Sequence, residues 1–347
     1  MESQSKFLKR LRLVFIGICL LVSLAVSYFY MSRNTMVQRY TPLITRFGEP
    51  NETSAHNTLI ANESDYYVTF SDFTDGRGLG NQMFTFAAVV YVAELTEREI
   101  IIPRAHKAKR LFEVFEMKVK REQIICPCYT FSEKLISYDE RINVMITDTS
   151  VMTKNSLVLR GYFQSWKYLT LVNERIRQIF RFKQRYTDFA TEMFKSNSHF
   201  GWKSDFIRVG IHNRRGDFAL AAKSSGYSTA PESYFRNAMK YFTDRYEQVQ
   251  FFVASQDKLW TMQHIVSDNT SANVNVVYLF DNAPGEDMAV LSMCDHVIVS
   301  SGTFGWWAAW LAQGTTIYYA KYPYPHSSLD LAMKNADYYP PHWISME

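Results

Sequence analysis

The chain has 347 residues, of which 47% are hydrophobic and 21% are charged, as is typical of a globular protein with a large core. Its net charge is +4, and most of the excess lies in the first twelve residues, where four cations accompany one carboxylate. A charge excess confined to one terminal segment argues against a nucleic-acid-binding surface. The length predicts one large domain or two medium ones.

The N-terminus predicts a membrane anchor. Residues 13–30 are uncharged and apolar, about the length that spans a thin bilayer. Because Lys and Arg are concentrated before this run, residues 1–12 are expected to form a cytosolic tail and the rest of the chain to lie in the lumen. The alternative is a cleaved signal peptide, since Ala25 and Ser27 supply a small-x-small cleavage pattern.

Residues 31–65 predict a polar stem, because they are rich in Asn, Thr, Ser and Glu and have no lasting apolar period. Two N-glycosylation sequons begin at Asn51 and Asn62 in this stem, and a third begins at Asn269. Three cysteines follow the apolar run, and their pairing stays open: Cys126, Cys128 and Cys294.

The globular part begins near residue 66 with a predicted β-α-β unit. Its parts are a strand at 66–70, a glycine-rich turn at 75–80, a helix at 81–95 and a strand at 100–102. Short strands and helices alternate over 104–200, with helices expected near 107–117 and 167–195.

The second half predicts strands and helices in alternation. Strands are expected at 206–211, 249–254, 274–280, 296–300 and 315–319, and helices near 231–245, 286–294 and 305–312. Such alternation predicts a parallel, doubly wound α/β sheet, in which ligands bind beyond the carboxyl ends of the strands. We expect two Rossmann-type domains, at 66–205 and 206–347, that face each other across a cleft.

The loop after the strand at 206–211 carries His212, Arg214 and Arg215. A guanidinium group offers a rigid fork of donors and stays charged at any working pH, so this loop predicts a diphosphate site. Asp217 is expected to hold one guanidinium and leave the other free. The alternative is a surface cluster of ion pairs.

Two further loops lead into helices and favour anion binding. The turn at 76–80 and the loop at 301–303 bring backbone N–H groups to helix starts. Neither is a Walker loop or a Gly-x-Gly-x-x-Gly turn. Each has the alternative of a tight turn that caps its helix, with Asn81 as the cap in the first.

Two aromatic clusters are better explained by packing than by sugar binding. Trp306 and Trp310 are four residues apart on one helix, a spacing that packs on a sheet. Four tyrosines near the C-terminus are expected to dock the tail: Tyr322, Tyr324, Tyr338 and Tyr339. The chain has no Asp-x-Asp triplet and no zinc-spaced His/Cys cluster, so arginine and helix dipoles are expected to meet the charge of a diphosphate.

Three segments together resemble the α-1,2-fucosyltransferases, the blood-group H type of galactoside 2-fucosyltransferase. They are GLGNQMF at 78–84, HNRRGD at 212–217 and SGTFGWWAAWL at 301–311, and FFVASQD at 251–257 looks like a fourth. Their order and spacing also match, so the resemblance covers about residues 66–320. The HNRRGD segment is shared with α-1,6- and protein O-fucosyltransferases, whereas the segment at 301–311 is more specific to the α-1,2 group.

The resemblance implies a GT-B fold, GDP-fucose as the donor, a galactose-terminated glycan as the acceptor, inversion at the anomeric carbon and no metal or other cofactor. It also implies a single-pass type II protein of the Golgi membrane. Arg214 is then the main diphosphate contact, His212 lies near the ribose or guanine, and Asp287 contacts guanine. The donor-binding residues that the resemblance implies are Gly80, Asn81, His212, Arg214, Asp287 and Thr303.

Acceptor activation and acceptor choice stay open. The general base is unassigned, with Asp75, Asp217 and Glu286 as candidates, and Gln256 stands where an acidic residue is frequent in the family. One rival function is an α-1,6- or protein-directed fucosyltransferase. The Trp-Trp-Ala-Ala-Trp segment argues against it. The other is a non-catalytic lumenal glycan-binding protein. The presence of Arg214, Arg215 and Asn81 argues against this function.

Overall fold

The computed structural model describes residues 66–70, 78–101, 106–113, 128–134, 136–154, 156–197, 206–220, 225–266 and 273–347. The expected tail, anchor and stem therefore lie outside the described residues, as do Asp75, Cys126 and the sequons at Asn51, Asn62 and Asn269. Within these ranges, no helix has the length and apolar character needed to cross a membrane.

The first sheet has four parallel strands in the order β2-β1-β4-β3. The strands are β1 (Tyr67–Phe70), β2 (Glu99–Ile100), β3 (Cys128–Ser132) and β4 (Ser156–Arg160). Helix α1 (Leu79–Thr96) connects β1 to β2, and its residues from Gln82 to Ala93 are all buried, so it is a core helix. Short helices α2 (Arg141–Met145) and α3 (Thr149–Met152) precede β4.

The connection between the sheets corrects one expectation. The single helix expected near 167–195 is wrong, because the structure has a 3₁₀ turn (Trp166–Leu169) and two helices, α4 (Asn173–Ile179) and α5 (Gln184–Ser196). The break follows from Phe182, which forms an isolated antiparallel bridge with Phe112 and leaves helical geometry to do so. Of the helix expected near 107–117, a 3₁₀ turn (Lys107–Arg110) is described.

The second sheet has six parallel strands in the order β10-β9-β8-β5-β6-β7. The strands are β5 (Ile207–Asn213), β6 (Val249–Ser255), β7 (Val274–Leu279), β8 (His296–Val299), β9 (Thr316–Tyr319) and β10 (Ile344–Met346). The helices are α6 (Asp217–Leu220), α7 (Glu232–Thr243), α8 (Lys258–His264), α9 (Pro284–Ser292), α10 (Thr303–Ala312), α11 (Ser328–Ala332) and α12 (Asn335–Tyr338). The parallel α/β fold is confirmed, and the expected strands agree to within two residues. The division near residue 205 falls outside the described residues and stays a prediction.

The tryptophans of α10 form the contact between α10 and α1. Trp306 and Trp307 are buried, and the Phe84 ring of α1 lies 4.5 Å and 5.0 Å from their rings. Trp307 Nε1 donates to the carbonyl of Gly80 at 3.0 Å, and Trp306 Nε1 donates to that of Tyr338 at 2.8 Å. The prediction that these rings pack in the core is therefore confirmed.

Two other core expectations concern the C-terminus and the cysteines. Tyr322, Tyr338 and Tyr339 are buried as expected of a docked tail, whereas Tyr324 is 39% exposed. Cys294 is a buried free thiol that donates to the carbonyl of Val290, so it takes part in no disulfide.

We expect Trp307→Ala to lower the free energy of unfolding by about 3–5 kcal/mol, because it removes a buried ring together with its hydrogen bond to Gly80. Chemical denaturation measures this loss. The control is Leu259→Ala, since Leu259 is 76% exposed on α8 and its truncation should change stability by no more than about 0.5 kcal/mol. Equal losses in both variants would contradict the packing described for Trp307.

Candidate active site

The carboxyl ends of three neighbouring strands meet at one edge of the second sheet. β5 lies between β8 and β6, and its last residues pair with Val299 and Ser255. His212 and Asn213 end β5 and are buried, and Arg214 follows them. Parallel pairing therefore brings the loops after β5, β6 and β8 together, as the sequence predicts.

Arg214 is the arginine that reaches the open side of this edge. Its backbone N–H donates to Ser300 Oγ at 2.8 Å, which ties it to the loop after β8. Its guanidinium donates to Gln256 Oε1 at 2.9 Å and to Asp217 Oδ2 at 2.7 Å. The side chain is 27% exposed and that of Asp217 is 63% exposed. An ion pair this exposed is weak, so an incoming anion can replace Asp217.

Arg215 is held inside the protein instead. Its Nε donates to Asp257 Oδ2 at 3.3 Å, and its guanidinium lies 3.8 Å from the centre of the Trp260 ring. Asp257 in turn caps α8 by accepting from the N–H of Trp260. Asp217 was expected to hold one of the two guanidinium groups, and the structure shows that it holds Arg214, whereas Arg215 has Asp257 as its partner.

His212 is buried and neutral. Burial and, secondarily, the charge of Arg214 lower the pKa of its imidazole to about 3. Its Nδ1 has no hydrogen-bond partner in the part of the chain that the structure describes, and it faces Gly305 of α10, where a Cβ would come within 2.6 Å of it. This close approach explains why a glycine follows Phe304, whose ring lies 5.2 Å from the imidazole. The imidazole therefore adds no positive charge to the edge.

The loop between β8 and α10 presents unused donors beside Arg214. Gly302 has φ +80°, and a Cβ placed on it would lie 3.8 Å from Arg214 Cγ. Among the described residues, no side chain caps the first turn of α10, and Ser301 Oγ is buried without a hydrogen-bond partner. Backbone N–H groups and a hydroxyl beside an arginine are the groups that bind phosphate oxygens.

The first sheet reaches the same place through α1. Asn81 Oδ1 accepts from Thr303 Oγ1 at 2.8 Å and from Gln164 Nε2 at 3.0 Å. A Cβ on Gly80 would approach the backbone of Thr303 to 2.6 Å, so α1 and α10 can meet here because residue 80 has no side chain. Asn81 lies inside α1, whose cap position is Gly78, so the alternative of Asn81 as the cap is wrong.

The acidic candidates have separate positions. Glu286 Oε2 accepts from the N–H of Ala283 at 2.7 Å and thereby caps α9. Asp287, one residue on, accepts from Asn282 Nδ2 at 3.0 Å, and burial raises the pKa of its carboxyl to about 6. Asp217 is the partner of Arg214. Over the described part of the chain, no group of three His, Cys, Asp or Glu residues is arranged to hold a metal ion.

A separate cavity of about 410 Å³ lies at the other end of α10. Its lining includes Trp166, Arg177, Trp310 and Trp343, and it contains none of the donor-binding candidates. Arg177 lies 4.1 Å from the centre of the Trp310 ring and donates to the Trp310 carbonyl. The size of this cavity therefore does not identify the site, whereas the polar groups at the strand ends do.

The structure thus brings His212, Arg214, Asn81 and Thr303 together, with Gly80 beneath them. Gln164 was not predicted as a site residue, because it follows β4 in a segment without a glycine motif or a charge pattern. The signal that could have found it is its position two residues before the 3₁₀ turn that begins at Trp166. The Oγ atom of Ser300, which links Arg214 to the His212 carbonyl, was also missed.

Comparisons with known proteins identify the family. The model of glycosyl transferase family 11 matches residues 53–347. Galactoside alpha-(1,2)-fucosyltransferase 1 of Ateles belzebuth is 30% identical over 306 residues, which cover 86% of this chain and 80% of the relative. The enzyme of the same name from Aotus azarae is 28% identical over 316 residues, which cover 88% and 83%.

Among solved structures, a mutant of Arabidopsis thaliana FUT1 in complex with GDP is similar in fold. It superposes with a TM-score of 0.52 at 14% sequence identity and covers 79% of this chain and 74% of that chain. At this identity the likeness bears on the fold alone, and it agrees with the GT-B-like arrangement of two parallel sheets.

We expect Arg215→Lys to lower the free energy of unfolding by about 1–2 kcal/mol, because lysine loses the planar stacking on Trp260 and the fork that reaches Asp257. Thermal melting measures the effect. Arg236→Lys is the matched control, because Arg236 is an exposed arginine of α7 paired with Glu232, and it should melt like the unmodified protein. An Arg215→Lys protein of normal stability would mean that Arg215 is not a structural residue.

Proposed function

Since this chain belongs to glycosyl transferase family 11, we propose that it transfers fucose from GDP-fucose to the 2-hydroxyl of a galactose in a glycan. Fucosyl transfer itself is supported by the α-(1,2)-fucosyltransferases to which the chain is similar over most of its length. The observation that carries the donor assignment is the meeting of α1 and α10 beside Arg214, joined by the Asn81–Thr303 hydrogen bond.

The diphosphate of the donor is proposed to bind Arg214. One phosphate oxygen of the donor replaces the carboxylate of Asp217 on the first arm of the guanidinium. A second phosphate oxygen replaces the amide oxygen of Gln256 on the other arm. The uncapped start of α10 and the hydroxyl of Ser301 supply further donors to the same group. The fold neighbour from Arabidopsis thaliana was solved in complex with GDP, which is consistent with a GDP-linked donor for this chain.

Asp287 is proposed to accept hydrogen bonds from the guanine N–H groups. It lies in the first turn of α9, at the same edge of the sheet, and its Asn282 contact orients the carboxylate. His212 is proposed to lie near the ribose or the base. A neutral, buried imidazole suits that role because it can contact the sugar or the base without adding charge.

The proposed reaction proceeds with inversion. As the fucose–oxygen bond of the donor breaks, negative charge develops on the leaving phosphate, and Arg214 and the start of α10 stabilise it. The galactose 2-hydroxyl attacks from the opposite face of the fucose and loses its proton to a base. That base remains unassigned among Asp75, Asp217 and Glu286, of which Glu286 is already engaged as a helix cap.

We also propose that residues 13–30 anchor the chain in the Golgi membrane with residues from 31 onward in the lumen. The basis is the charge distribution around an apolar run. A secreted product whose N-terminus is Tyr28 would contradict the anchor. Glycosylation at Asn51, Asn62 and Asn269 follows from the same orientation, and its absence after expression in animal cells would contradict it.

We expect Arg214→Lys to lower kcat/KM for GDP-fucose by about 10²-fold or more, because lysine keeps the charge but loses the two-armed fork. The assay is run in excess EDTA, since we propose that no metal takes part, and activity that returns only with manganese would contradict that part. Melting with and without GDP separates folding from binding: the variant should melt normally but gain less from GDP. Normal turnover and normal GDP stabilisation would show that the diphosphate binds elsewhere.

We expect GDP-fucose to bind about tenfold more tightly at pH 7 than at pH 5, because a carboxyl with a pKa of about 6 accepts guanine N–H groups only once ionised. Calorimetry without acceptor measures the dissociation constant, and GDP-fucose is preferred because the terminal phosphate of GDP titrates in this range. Asp287→Asn should bind weakly and with little pH dependence. An unchanged pH profile in this variant would remove Asp287 from the site.

A further inference from the structure

A cluster of cations lies on the surface beside the candidate site. The stretches 106–113 and 181–188 together hold six Lys or Arg residues and two carboxylates, although they are far apart in the sequence. We call the four cations Arg110, Arg181, Lys183 and Arg185 the basic edge. Three of them are exposed and Lys183 is half-buried.

The two stretches are held against each other by backbone acceptors. Lys183 Nζ donates to the Lys109 carbonyl at 2.7 Å, and Arg185 Nη2 donates to the Arg110 carbonyl at 3.2 Å. The Phe112–Phe182 bridge fixes their register. The contacts therefore hold the two cation-bearing stretches side by side, and the partners of Lys183 and Arg185 in them are backbone carbonyls, which carry no net charge.

Exposed cations elsewhere on the surface form ion pairs with carboxylates. Arg236 and Lys240 on α7 pair with Glu232 and Asp244. Among the residues that the structure describes, no carboxylate lies within 4.0 Å of the charged nitrogens of the basic edge. Within the described residues, the four cations of the basic edge therefore form no ion pair.

The position of the basic edge links it to the candidate site. The N–H of Lys107 donates to Gln82 Oε1 at 2.8 Å, and Gln82 is the neighbour of Asn81 on α1. Gly285 lies in the first turn of α9, as does Asp287. A Cβ placed on Gly285 would lie 2.9 Å from the Tyr186 ring and 3.1 Å from Leu111 Cγ. The two stretches that carry the basic edge therefore contact the first turns of the two helices that hold Asn81 and Asp287.

We propose that the basic edge binds an anionic group, a sulfate or a carboxylate, on the acceptor glycan, at a sugar other than the galactose that receives fucose. This inference rests on the proposed function and names the acceptor class within it. An acceptor is favoured because it must enter from the open side of the site, where exposed cations attract anions at a distance. The donor's own charge is already met by Arg214 and the start of α10.

The test compares two acceptors with the same galactose: N-acetyllactosamine and its derivative with a 6-sulfate on N-acetylglucosamine. At low ionic strength, the KM for the sulfated acceptor should be about fivefold lower than for the neutral one. The difference should vanish at about 0.5 M salt, because exposed charges are then screened. Product linkage analysis confirms that both acceptors receive fucose at the galactose.

The double variant Arg181→Gln/Arg185→Gln should bring the ratio of the two KM values close to one. The control Arg236→Gln/Arg245→Gln removes two exposed arginines of the α7 region and should keep the ratio of the unmodified protein. Melting confirms that both variants fold. A loss of affinity for GDP-fucose in the basic-edge variant, or binding to anionic lipid vesicles with an unchanged KM ratio, would overturn the proposal.

Failure of this inference is distinguishable from failure of the proposed function. If the neutral acceptor receives fucose and the sulfated one has no advantage, the basic edge does not bind acceptor anions while the fucosyl transfer stands. If neither galactoside receives fucose from GDP-fucose, the proposed function and this inference both fall.

Discussion

The structure depends on one close contact, in which the starts of α1 and α10 meet with no side chain between them. Residue 80 lies so close to the backbone of Thr303 that a Cβ on it would not fit. The carbonyl of Gly80 also accepts a hydrogen bond from the indole N–H of Trp307. The Asn81–Thr303 hydrogen bond closes the contact on the solvent side. Each sheet thereby has a fixed position at the site, and a larger residue at position 80 would separate the two helices.

Two adjacent arginines in this site have opposite environments, although the sequence presents them as equivalents. Arg215 has an aromatic face, a carboxylate that is itself a helix cap, and little exposure. Arg214 has an exposed carboxylate and an amide, both of which can move away. Both arginines directly follow the end of β5, and the Arg215 side chain turns toward Trp260 of α8 while that of Arg214 turns toward the open edge. Arg215 is thus held rigidly by its neighbours, whereas the partners of Arg214 can be replaced.

Much of the second half could be predicted because strands alternate with helices and each strand is followed by a polar loop. The position of His212 and Arg214 beyond a strand end follows from that periodicity, whereas the expectation for Thr303 came from the family resemblance. The partners of the two arginines could not be predicted, since Asp217 and Asp257 are both acidic and only the fold determines which guanidinium each one reaches. The role of Gln164 could not be predicted for a similar reason, because its contact with Asn81 joins residues that are 83 positions apart in the sequence. The helix break at Phe182 likewise depends on Phe112, far away in sequence.

The pairing of Arg214 with Asp217 has a consequence for turnover. Asp217 is three residues from Arg214 on the same chain, so it acts as a tethered ligand whose effective concentration never falls. Under the proposed function, a diphosphate that binds Arg214 must compete with this carboxylate, which can return to the guanidinium when the diphosphate leaves. Asp217 would therefore weaken the binding of substrate and product nucleotide alike, which favours product release.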